Sequence, residues 1–258
     1  LDEPTKNPVT LSEHELLRYA RQIMMPDFGE EGQKRLKQSH VLVAGVGGLG
    51  SPVAIYLSTA GIGHLTIVDY DSVDVTNLNR QVLHWEEDVG VRKVASAEAK
   101  LRRINSSVLV TPLETKITAD NILELLEGVD LVMDCMDNME TRFLINEACV
   151  RKGIPMIHGG VREMLGEITT IIPGKTPCLE CLLPRDLAKK ETFPIFGATA
   201  AMVASLQALE AIKLLSGIGT LLTDRMLFID NANIEFMMID LQKRPECKIC
   251  GGIECQQR

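Results

Sequence analysis

The sequence predicts an α/β protein whose doubly wound, mostly parallel sheet is extended by antiparallel strands. Two observations lead to this fold class. From residue 40 to residue 158, short apolar runs alternate with helical segments, and such alternation produces right-handed crossovers and a parallel sheet that is covered on both faces. After residue 159 the alternation stops, and two strand-like runs near the C-terminus follow each other with only residues 231–233 between them, which is typical of a hairpin.

Capping residues and apolar patterns in the sequence predict the helices and strands of the parallel part. Ser12 and Glu15 form a capping box, which predicts that a helix begins there. An apolar run at 40–46 ends at glycines and predicts a central strand. The pattern then predicts helices at 49–60, 91–104, 119–127 and 138–152 and strands at 64–69, 107–112, 129–134 and 154–158.

The last third of the chain is expected to add antiparallel strands to the same sheet. Its elements are a strand at 166–172, an apolar helix at 198–215 and hairpin strands at 226–230 and 234–241. The apolar helix belongs to a stretch, 192–209, without any charged side chain. Because Pro194 and Gly197 lie at its start and Glu210 and Lys213 follow, we interpret it as core or dimer interface, with no membrane association.

Composition and charge exclude several classes of function. The 258 residues carry 35 acidic and 27 basic side chains, a formal net charge of −8, which argues against binding nucleic acid by phosphate neutralisation. Seven cysteines are an odd number, and no basic segment with an apolar stretch begins the chain, so a secreted disulfide framework is not expected. We expect a cytoplasmic protein with one domain at 11–252, a flexible arm at 1–10 and a tail at 253–258.

A glycine-rich loop lies between the first predicted strand and the next helix. Gly45, Gly47, Gly48 and Gly50 satisfy G-x-G-x-x-G, and Asp69 ends the following strand. Glycines let the backbone approach phosphates at a helix N-terminus, and the aspartate can accept hydrogen bonds from ribose hydroxyls. The motif predicts a nucleotide site, with a tight turn that binds no ligand as the alternative. It does not separate a dinucleotide from ATP, because both contain adenosine and an α-phosphate.

Polar and basic residues beyond the second strand favour a triphosphate. Asparagine, arginine and lysine side chains can hold the β- and γ-phosphates and offset charge that develops at the α-phosphorus. Asp137 follows a later strand at the same sheet edge, where it is placed either for Mg²⁺ or to cap the helix at 138. The candidate nucleotide-binding residues in this part of the chain are Asp71, Thr76, Asn77, Leu78, Asn79, Arg80, Lys93, Asp137 and Asn138.

In combination, these motifs resemble those of the E1-like activating enzymes, the family of the MoeB, ThiF and HesA proteins. The resemblance covers about residues 11–252, and its specificity comes from the order of the motifs. The motifs that carry it are Arg18-Tyr-Ala-Arg21-Gln, the glycine loop, Asp69-Tyr-Asp71, Asn77-Leu-Asn-Arg80-Gln, Lys93 and Asp134-Cys-Met-Asp137-Asn138.

The resemblance implies a Rossmann-like adenylation domain that binds ATP and Mg²⁺. Members of the family adenylate the C-terminal glycine carboxylate of a small ubiquitin-fold sulfur-carrier protein that ends in Gly-Gly, and they release pyrophosphate. Their pathways lead to molybdopterin, thiamin or related products. For this chain we expect a separate persulfide-bearing protein as the sulfur donor, although the sequence does not identify it. The resemblance further implies catalytic roles for Arg80, Lys93, Asp137 and Arg21, with Arg21 reaching the neighbouring subunit's site in a homodimer.

Two C-x-x-C pairs predict a structural zinc site. Cys178 and Cys181 form one pair, and Cys247 and Cys250 form the other. Four thiolates around Zn²⁺ close the site and leave no position for catalysis. A redox pair would be expected at a helix start in a thioredoxin-like setting, which the sequence indicates for neither pair. The family resemblance supports zinc at these positions.

The other three cysteines bear on whether the carrier becomes covalently attached. Cys135 and Cys149 are expected to pack as small apolar residues, and Cys255 lies in the tail. Some members of the family carry a further cysteine after the first zinc pair, but residues 182–198 contain none. We therefore expect the reaction to stop at an acyl-adenylate.

Two other functions remain open from the sequence. An NAD-dependent oxidoreductase would use the glycine loop and Asp69, but it would have no need for the basic residues or the four cysteines. A non-catalytic E1-like scaffold is disfavoured because one chain contains Arg21, Asp69, Arg80, Lys93 and Asp137. The five histidines lack metal-site spacing and are interpreted as structural.

Overall fold

Eight strands form one mixed sheet in the computed structural model, which describes residues 9–183 and 194–251. The strands are β1 (His40–Ala44), β2 (His64–Val68), β3 (Leu109–Leu113), β4 (Leu131–Asp134), β5 (Met156–Arg162), β6 (Leu165–Ile171), β7 (Arg225–Asp230) and β8 (Glu235–Asp240). Their order in the sheet is β3-β2-β1-β4-β5-β6-β7-β8. The first five are parallel, and each later strand is antiparallel to the one before it. The predicted parallel sheet with an antiparallel extension is confirmed.

Helices connect the strands and precede the first one. Those of the described residues are α1 (Glu13–Arg18), α2 (Ala20–Ile23), α3 (Gly29–Gln38), α4 (Gly50–Ala60), α5 (Lys93–Ile104), α6 (Ile122–Leu125), α7 (Met139–Lys152), α8 (Leu179–Leu182) and α9 (Gly197–Ser216). The predicted capping box is present at α1. The Glu15 N–H donates to Ser12 Oγ at 3.2 Å, and the Ser12 N–H donates to Glu15 Oε2 at 2.8 Å.

Several elements differ from the prediction. The short helix α8 was not predicted, and its N-cap is Cys178, so the first cysteine pair lies at a helix start, which the sequence indicates for neither pair. The α3 helix was not predicted, because Leu36 is the only large apolar side chain in it. The helix expected at 119–127 is reduced to α6, since the Thr118 N–H donates to Asn121 Oδ1 at 2.8 Å and forms a turn there. Strand β5 continues to Arg162 instead of ending at residue 158, because it pairs with β6 along its whole length.

The core lies on both faces of the sheet, as alternate residues of β1 demonstrate. Val41 and Val43 are fully buried in a cluster with residues of α3, α4, α5 and α9. Leu42 and Ala44 are fully buried in a second cluster with residues of α6 and α7. Because both faces of β1 are covered, this strand is apolar throughout after His40.

The apolar helix α9 packs within the fold. Among the described residues, it is the one helix long and apolar enough to cross a bilayer. It contacts α4, β5 and β6, and Ala200, Val203 and Ala204 are fully buried. These contacts agree with the interpretation of its central part as a core helix.

The sheet order creates a crevice at one edge. Strand β1 lies between β2 and β4, so the chain leaves β1 toward one side of the sheet and later returns on its other side. Ligands of open α/β sheets bind where the order reverses, beyond the carboxyl ends of the strands. The glycine loop follows β1 at this point, and Asp69 and Asp137 follow β2 and β4.

Candidate active site

The glycine loop is folded so tightly that two of its positions exclude a side chain. Gly45 has a φ of +89°, in the left-handed region that favours glycine. A Cβ atom at Gly50 would lie 1.8 Å from the Gly45 carbonyl oxygen. Among the described residues, the N–H groups of Gly47, Gly48 and Leu49 have no hydrogen-bond acceptor. These groups, at the start of α4, are available to an anion.

Asp69 joins the glycine loop to the end of β2. Its Oδ2 accepts a hydrogen bond from the Val46 N–H, and its Oδ1 accepts one from the Asp71 N–H, both at 2.9 Å. Each carboxylate oxygen has two lone pairs, so Asp69 can accept further hydrogen bonds, including those of a ribose. The predicted ribose acid therefore lies directly beside the predicted phosphate loop.

The basic segment after β2 folds back over this loop. Asp74 caps a short 3-10 helix at Val75–Asn77, where it accepts hydrogen bonds from the N–H and the hydroxyl of Thr76. Asn77 Oδ1 in turn accepts the Asp74 N–H. The Arg80 guanidinium donates to the Thr76 carbonyl at 2.9 Å and to Asn79 Oδ1 at 3.0 Å. These contacts hold the arginine in place before any ligand is bound.

Arg80 lies against the glycine loop, and Lys93 lies beside Asp71 at the start of another element. The Cγ of Arg80 lies 3.6 Å from the position that a Cβ at Gly48 would occupy. Lys93 is the first residue of α5, as the sequence predicts for a helix start, and it is only 5% exposed. Its Nζ forms an ion pair with Asp71 Oδ2 at 2.9 Å. Lys93 is thus linked through Asp71 to Asp69, because the Asp71 N–H donates to Asp69 Oδ1.

Asp137 is exposed and does not cap the helix that follows it. Asn138 is the N-cap of α7, with its Oδ1 accepting the Thr141 N–H at 2.9 Å. Burial raises the pKa of Tyr70, and the negative charges of Asp71, Asp137 and Asp69 add to this effect. The guanidinium of Arg92 donates to the Tyr70 carbonyl at 3.1 Å, so this segment carries cations as well as carboxylates.

Arg21 is not part of this crevice within one chain. It lies on α2, where the neighbouring Gln22 donates to the carbonyl of Ala60 at 3.1 Å. Ala60 ends the 11-residue helix α4, and the glycine loop precedes the start of α4. A helix of that length spans about 16 Å. Arg21 is exposed at the far end from the loop.

A buried charged network beneath the site was missed by sequence reasoning. His158 Nδ1 lies 2.7 Å from Asp134 Oδ2, and its Nε2 lies 3.3 Å from Glu167 Oε1. Arg142 Nε donates to the Met136 carbonyl at 3.1 Å and so holds the loop that carries Asp137. Burial lowers the pKa of His158, but the hydrogen bonds to Asp134 and Glu167 outweigh it and raise the pKa overall. Only Asp134 had been noticed, as part of a motif.

The four cysteines of the two pairs meet in one cluster. Their sulfur atoms all lie within 4.8 Å of one another, with 3.7 Å between Cys178 and Cys247 and 3.4 Å between Cys181 and Cys250. Thiolates at about 2.3 Å from a tetrahedral Zn²⁺ would be about 3.8 Å apart. The N–H of Leu179 is held by Asn146 Oδ1 at 2.8 Å, which ties the first pair to α7. The cluster fits a tetrahedral metal ion.

Cys135 and Cys149 are buried away from solvent, as expected. Burial is the largest cause that raises the pKa of each thiol, and the negative charge of Asp134 adds to it. A thiol that remains protonated is a poor nucleophile. Cys255 and residues 184–193 lie outside the described residues.

Comparison with known proteins identifies relatives over nearly the whole chain. The ThiF family model matches residues 19–249. The chain is 40% identical over 254 residues to the adenylyltransferase and sulfurtransferase MOCS3 of Culex quinquefasciatus, covering 95% of this chain but 58% of that protein. It is also 40% identical over 249 residues to the SAMP-activating enzyme E1 of Haloferax volcanii, covering 94% of this chain and 92% of that protein. These names are consistent with adenylyltransferase activity.

Solved structures of E. coli MccB share the fold. One, crystallised with MccA-N7isoASN, has a TM-score of 0.84 at 25% identity and covers 95% of this chain and 77% of that chain. Another, MccB with ATP, has a TM-score of 0.82 at 27% identity and covers 91% and 74%. Together with the family match and the two sequence relatives, these similarities establish that the chain belongs to the ThiF family.

Proposed function

We propose that this chain transfers AMP from ATP to the C-terminal glycine carboxylate of a ubiquitin-fold sulfur-carrier protein and releases pyrophosphate. The observation that carries the proposal is that Arg80 lies against Gly48 of the glycine loop, while Lys93 pairs with Asp71, whose N–H donates to Asp69. Two cations at the phosphate end of a nucleotide site favour a triphosphate. The names of the MOCS3 and SAMP-activating relatives support a protein carrier as the acceptor.

The proposed nucleotide contacts follow from the positions of the groups. Asp69 would accept hydrogen bonds from the ribose, and the free N–H groups of Gly47 and Gly48 would bind phosphate oxygens. Arg80 and Lys93 would hold the β- and γ-phosphates, with Lys93 shared between the phosphates and Asp71. Thr76, Asn77, Leu78 and Asn79 would shape the loop that presents Arg80, and Asn138 would orient Asp137.

The proposed reaction requires alignment of the carrier carboxylate with the α-phosphorus, and it does not require a nucleophilic side chain. A carrier carboxylate oxygen attacks the α-phosphorus, a new oxygen–phosphorus bond forms, and the bond to the β-phosphate oxygen breaks with pyrophosphate as the leaving group. The carboxylate is already ionised at neutral pH, so no base is required. The protein's part is to hold the two reactants in line and to neutralise charge on the phosphates.

Asp137 is the proposed ligand for Mg²⁺. Its carboxylate is exposed, it is not used in a helix cap, and carboxylate oxygens with phosphate oxygens are the usual ligands of this ion. When bound, Mg²⁺ would supply positive charge that offsets the charge of the phosphates.

Two further parts of the proposal concern assembly. Arg21 would act in the neighbouring subunit of a homodimer, since it lies at the far end of α4 from the glycine loop of its own chain. Zn²⁺ would occupy the four-cysteine cluster and connect the C-terminal segment to α7. The cysteines would take no part in the reaction, whereas Arg21 would act in the site of the other subunit.

The reaction is proposed to end at the acyl-adenylate, which a separate persulfide-bearing protein then attacks. The buried thiols of Cys135 and Cys149 support this end point. Mass spectrometry without reductant, after mixing enzyme, ATP and carrier, tests it. A carrier adduct cleavable by thiol, whether at Cys255 or elsewhere, would contradict it.

Pyrophosphate exchange tests the main proposal. The purified protein is incubated with ATP, Mg²⁺ and labelled pyrophosphate together with one Gly-Gly-ended carrier at a time, and each carrier truncated by its last glycine serves as its control. We expect exchange with at least one intact carrier of a molybdopterin, thiamin or related pathway and none with its truncated form. Saturable binding of NAD by calorimetry, with no binding of ATP, would instead favour an oxidoreductase, and ATP binding without any exchange would favour a scaffold.

A further inference from the structure

A chain of buried polar groups connects α5 to the glycine loop. His84 is 3% exposed, and its Nε2 lies 2.9 Å from the Val46 carbonyl oxygen. Its Nδ1 lies 2.8 Å from Ser96 Oγ, which is 2.9 Å from the ammonium of Lys100. Lys100 is itself buried and forms an ion pair with Asp88. None of these four side chains belongs to the proposed nucleotide contacts.

In this series of buried polar groups, the donor and the acceptor of each hydrogen bond can be assigned. The Val46 carbonyl can only accept, so His84 Nε2 carries a proton and donates to it. In a neutral ring Nδ1 is then an acceptor, so Ser96 Oγ donates to Nδ1 and accepts from the ammonium of Lys100. Burial lowers the pKa of His84, the Val46 carbonyl opposes this, and the charges of Lys100 and Lys93 add to the lowering. The ring is therefore neutral, with a defined tautomer.

Holding the Val46 carbonyl determines where the next N–H points. The carbonyl of Val46 and the N–H of Gly47 belong to one planar trans peptide unit and point in opposite directions. Two buried groups bind the Val46 carbonyl oxygen: His84 Nε2 and the Ser51 hydroxyl, which donates to it at 3.1 Å. The Gly47 N–H, which has no acceptor among the described residues, is consequently directed away from these groups.

The same contacts set the position of Lys93 relative to the loop. Lys93, Ser96 and Lys100 are spaced by three and four residues along α5, so they share one face of that helix. Ser96 contacts His84 on this face, and Lys93 is buried one turn earlier. A change in the His84 contact would therefore alter the geometry between the loop and the ammonium of Lys93.

We propose that His84 is a positioning residue for adenylyl transfer. It holds the Val46 carbonyl so that the Gly47 N–H faces the phosphates. Through Ser96 it also keeps Lys93 at a fixed position relative to the loop. This role rests on the proposed function, and it goes beyond the structural role that the sequence suggested for the histidines. His84 does not touch the reacting atoms.

Two substitutions of His84 separate positioning from simple loss of packing. In His84→Gln, the amide nitrogen can take the place of Nε2 and still donate to Val46. In His84→Asn, the shorter amide can contact Ser96 but does not reach the Val46 carbonyl. Displacing catalytic groups by an ångström can cost about 10²-fold in rate, so we expect His84→Asn to lower kcat of pyrophosphate exchange by roughly 10- to 100-fold. The KM for the carrier should not change, and His84→Gln should recover most of kcat.

The control variant is His64→Asn, which makes the same change at a half-buried histidine on β2. His64 Nε2 lies 2.9 Å from Thr111 Oγ1 and its ring stacks on His40, at the N-terminal end of β2 and so at the opposite edge of the sheet from the site. It should retain the kcat of the wild type even if its melting temperature falls as far as that of His84→Asn. Wild-type kcat in His84→Asn, or a glutamine variant as impaired as the asparagine one, would overturn the proposal.

Hydrogen exchange supplies a readout that does not depend on the reaction. In the protein without nucleotide, amides of residues 45–51 should exchange faster in His84→Asn than in the wild type, and His84→Gln should resemble the wild type. Equal exchange in all three proteins would overturn the positioning role. Absence of pyrophosphate exchange by the wild type with every carrier would refute the proposed function alone, since the order of the loop is still measured.

Discussion

Arg80 and Lys93 already have partners before any nucleotide arrives. Arg80 donates to its own loop, and Lys93 is paired with Asp71. Such partners reduce the side-chain entropy that is lost when a ligand binds, and they keep each cation near the phosphate loop. Asp71 also prevents Lys93 from being a buried charge without a counter-ion in the unliganded protein.

Arg80→Ala and Lys93→Ala should each abolish most pyrophosphate exchange. Removing one charge-assisted contact to charge that develops in a transition state costs about 2.7–4 kcal/mol, or about 10²–10³ in rate. The measurement is the initial rate at saturating ATP and carrier, with circular dichroism to verify the fold. Arg102→Ala is the control, because Arg102 lies on α5 but is exposed and paired only with Glu98. Near-normal exchange in both site variants would refute the assignment.

At the scale of elements, α7 connects two functional regions. Its N-cap, Asn138, adjoins Asp137 at the candidate site, and Asn146 further along the helix binds the backbone of the first cysteine pair. Arg142, between them, holds the Met136 carbonyl. The helix thus provides a rigid connection between the crevice and the cysteine cluster.

A Cys→Ser change at Cys178 or Cys247 should lower zinc content and thermal stability together. Metal binding to a preformed thiolate cluster contributes directly to the free energy of folding, and a hydroxyl is a poor replacement for a thiolate ligand. Metal analysis and the melting temperature are measured on the same samples, purified under reducing conditions. Cys149→Ala is the control, because it alters a buried cysteine outside the cluster and should leave the metal content unchanged. Absence of zinc with four reactive thiols would point to redox chemistry instead.

The buried network predicts a pH-dependent contribution to stability. The pKa of His158 is raised above its ordinary value of 6.5, so its stabilising effect is complete below pH 6.5 and is lost as pH rises through the raised pKa. The stability advantage of the wild type over His158→Gln, from urea unfolding, should therefore shrink as pH rises above 6.5. An advantage that stays constant or grows over this range would show that His158 is not charged in the folded protein.

At the scale of the whole molecule, we propose that a second copy of the chain completes the site. The crevice contains Asp69, Arg80 and Lys93 from one chain, and Arg21 lies at the opposite end of α4. A symmetric dimer would place the same surface on both subunits and could bring each Arg21 to the other subunit's crevice.

Mixing two inactive variants tests this arrangement. Arg21→Ala and Lys93→Ala should each be inactive alone, but a mixed dimer contains one site with an intact Lys93 and an intact Arg21 from the partner. After the two proteins are unfolded, mixed and refolded together, random pairing should restore about a quarter of the wild-type exchange rate. The same treatment of each variant separately is the control. No recovery in the mixture, despite recovery of refolded wild type, would contradict action in the partner's site.

The sequence by itself determined the features that depend on local backbone chemistry. The G-x-G-x-x-G spacing, the acid at the end of β2, the capping box at Ser12 and the two C-x-x-C pairs each specify a short-range requirement, and all are found where expected. The alternation of apolar runs and helical segments was sufficient for the parallel sheet, because strand and helix periods are visible within a few residues. The polar helix α3 was not predicted from the sequence, because Leu36 is its only large apolar residue.

Only the tertiary structure decided which distant side chains meet. His84 contacts a carbonyl 38 positions earlier in the chain, and His158 contacts Asp134 across 24 positions. Neither pair has a spacing that a motif could reveal, because the contacts arise from the order in which the strands enter the sheet. The position of Arg21 at the far end of α4 has the same origin. Residue types and their local order specify the chemistry available to this protein, and the crossovers between strands decide which groups act together.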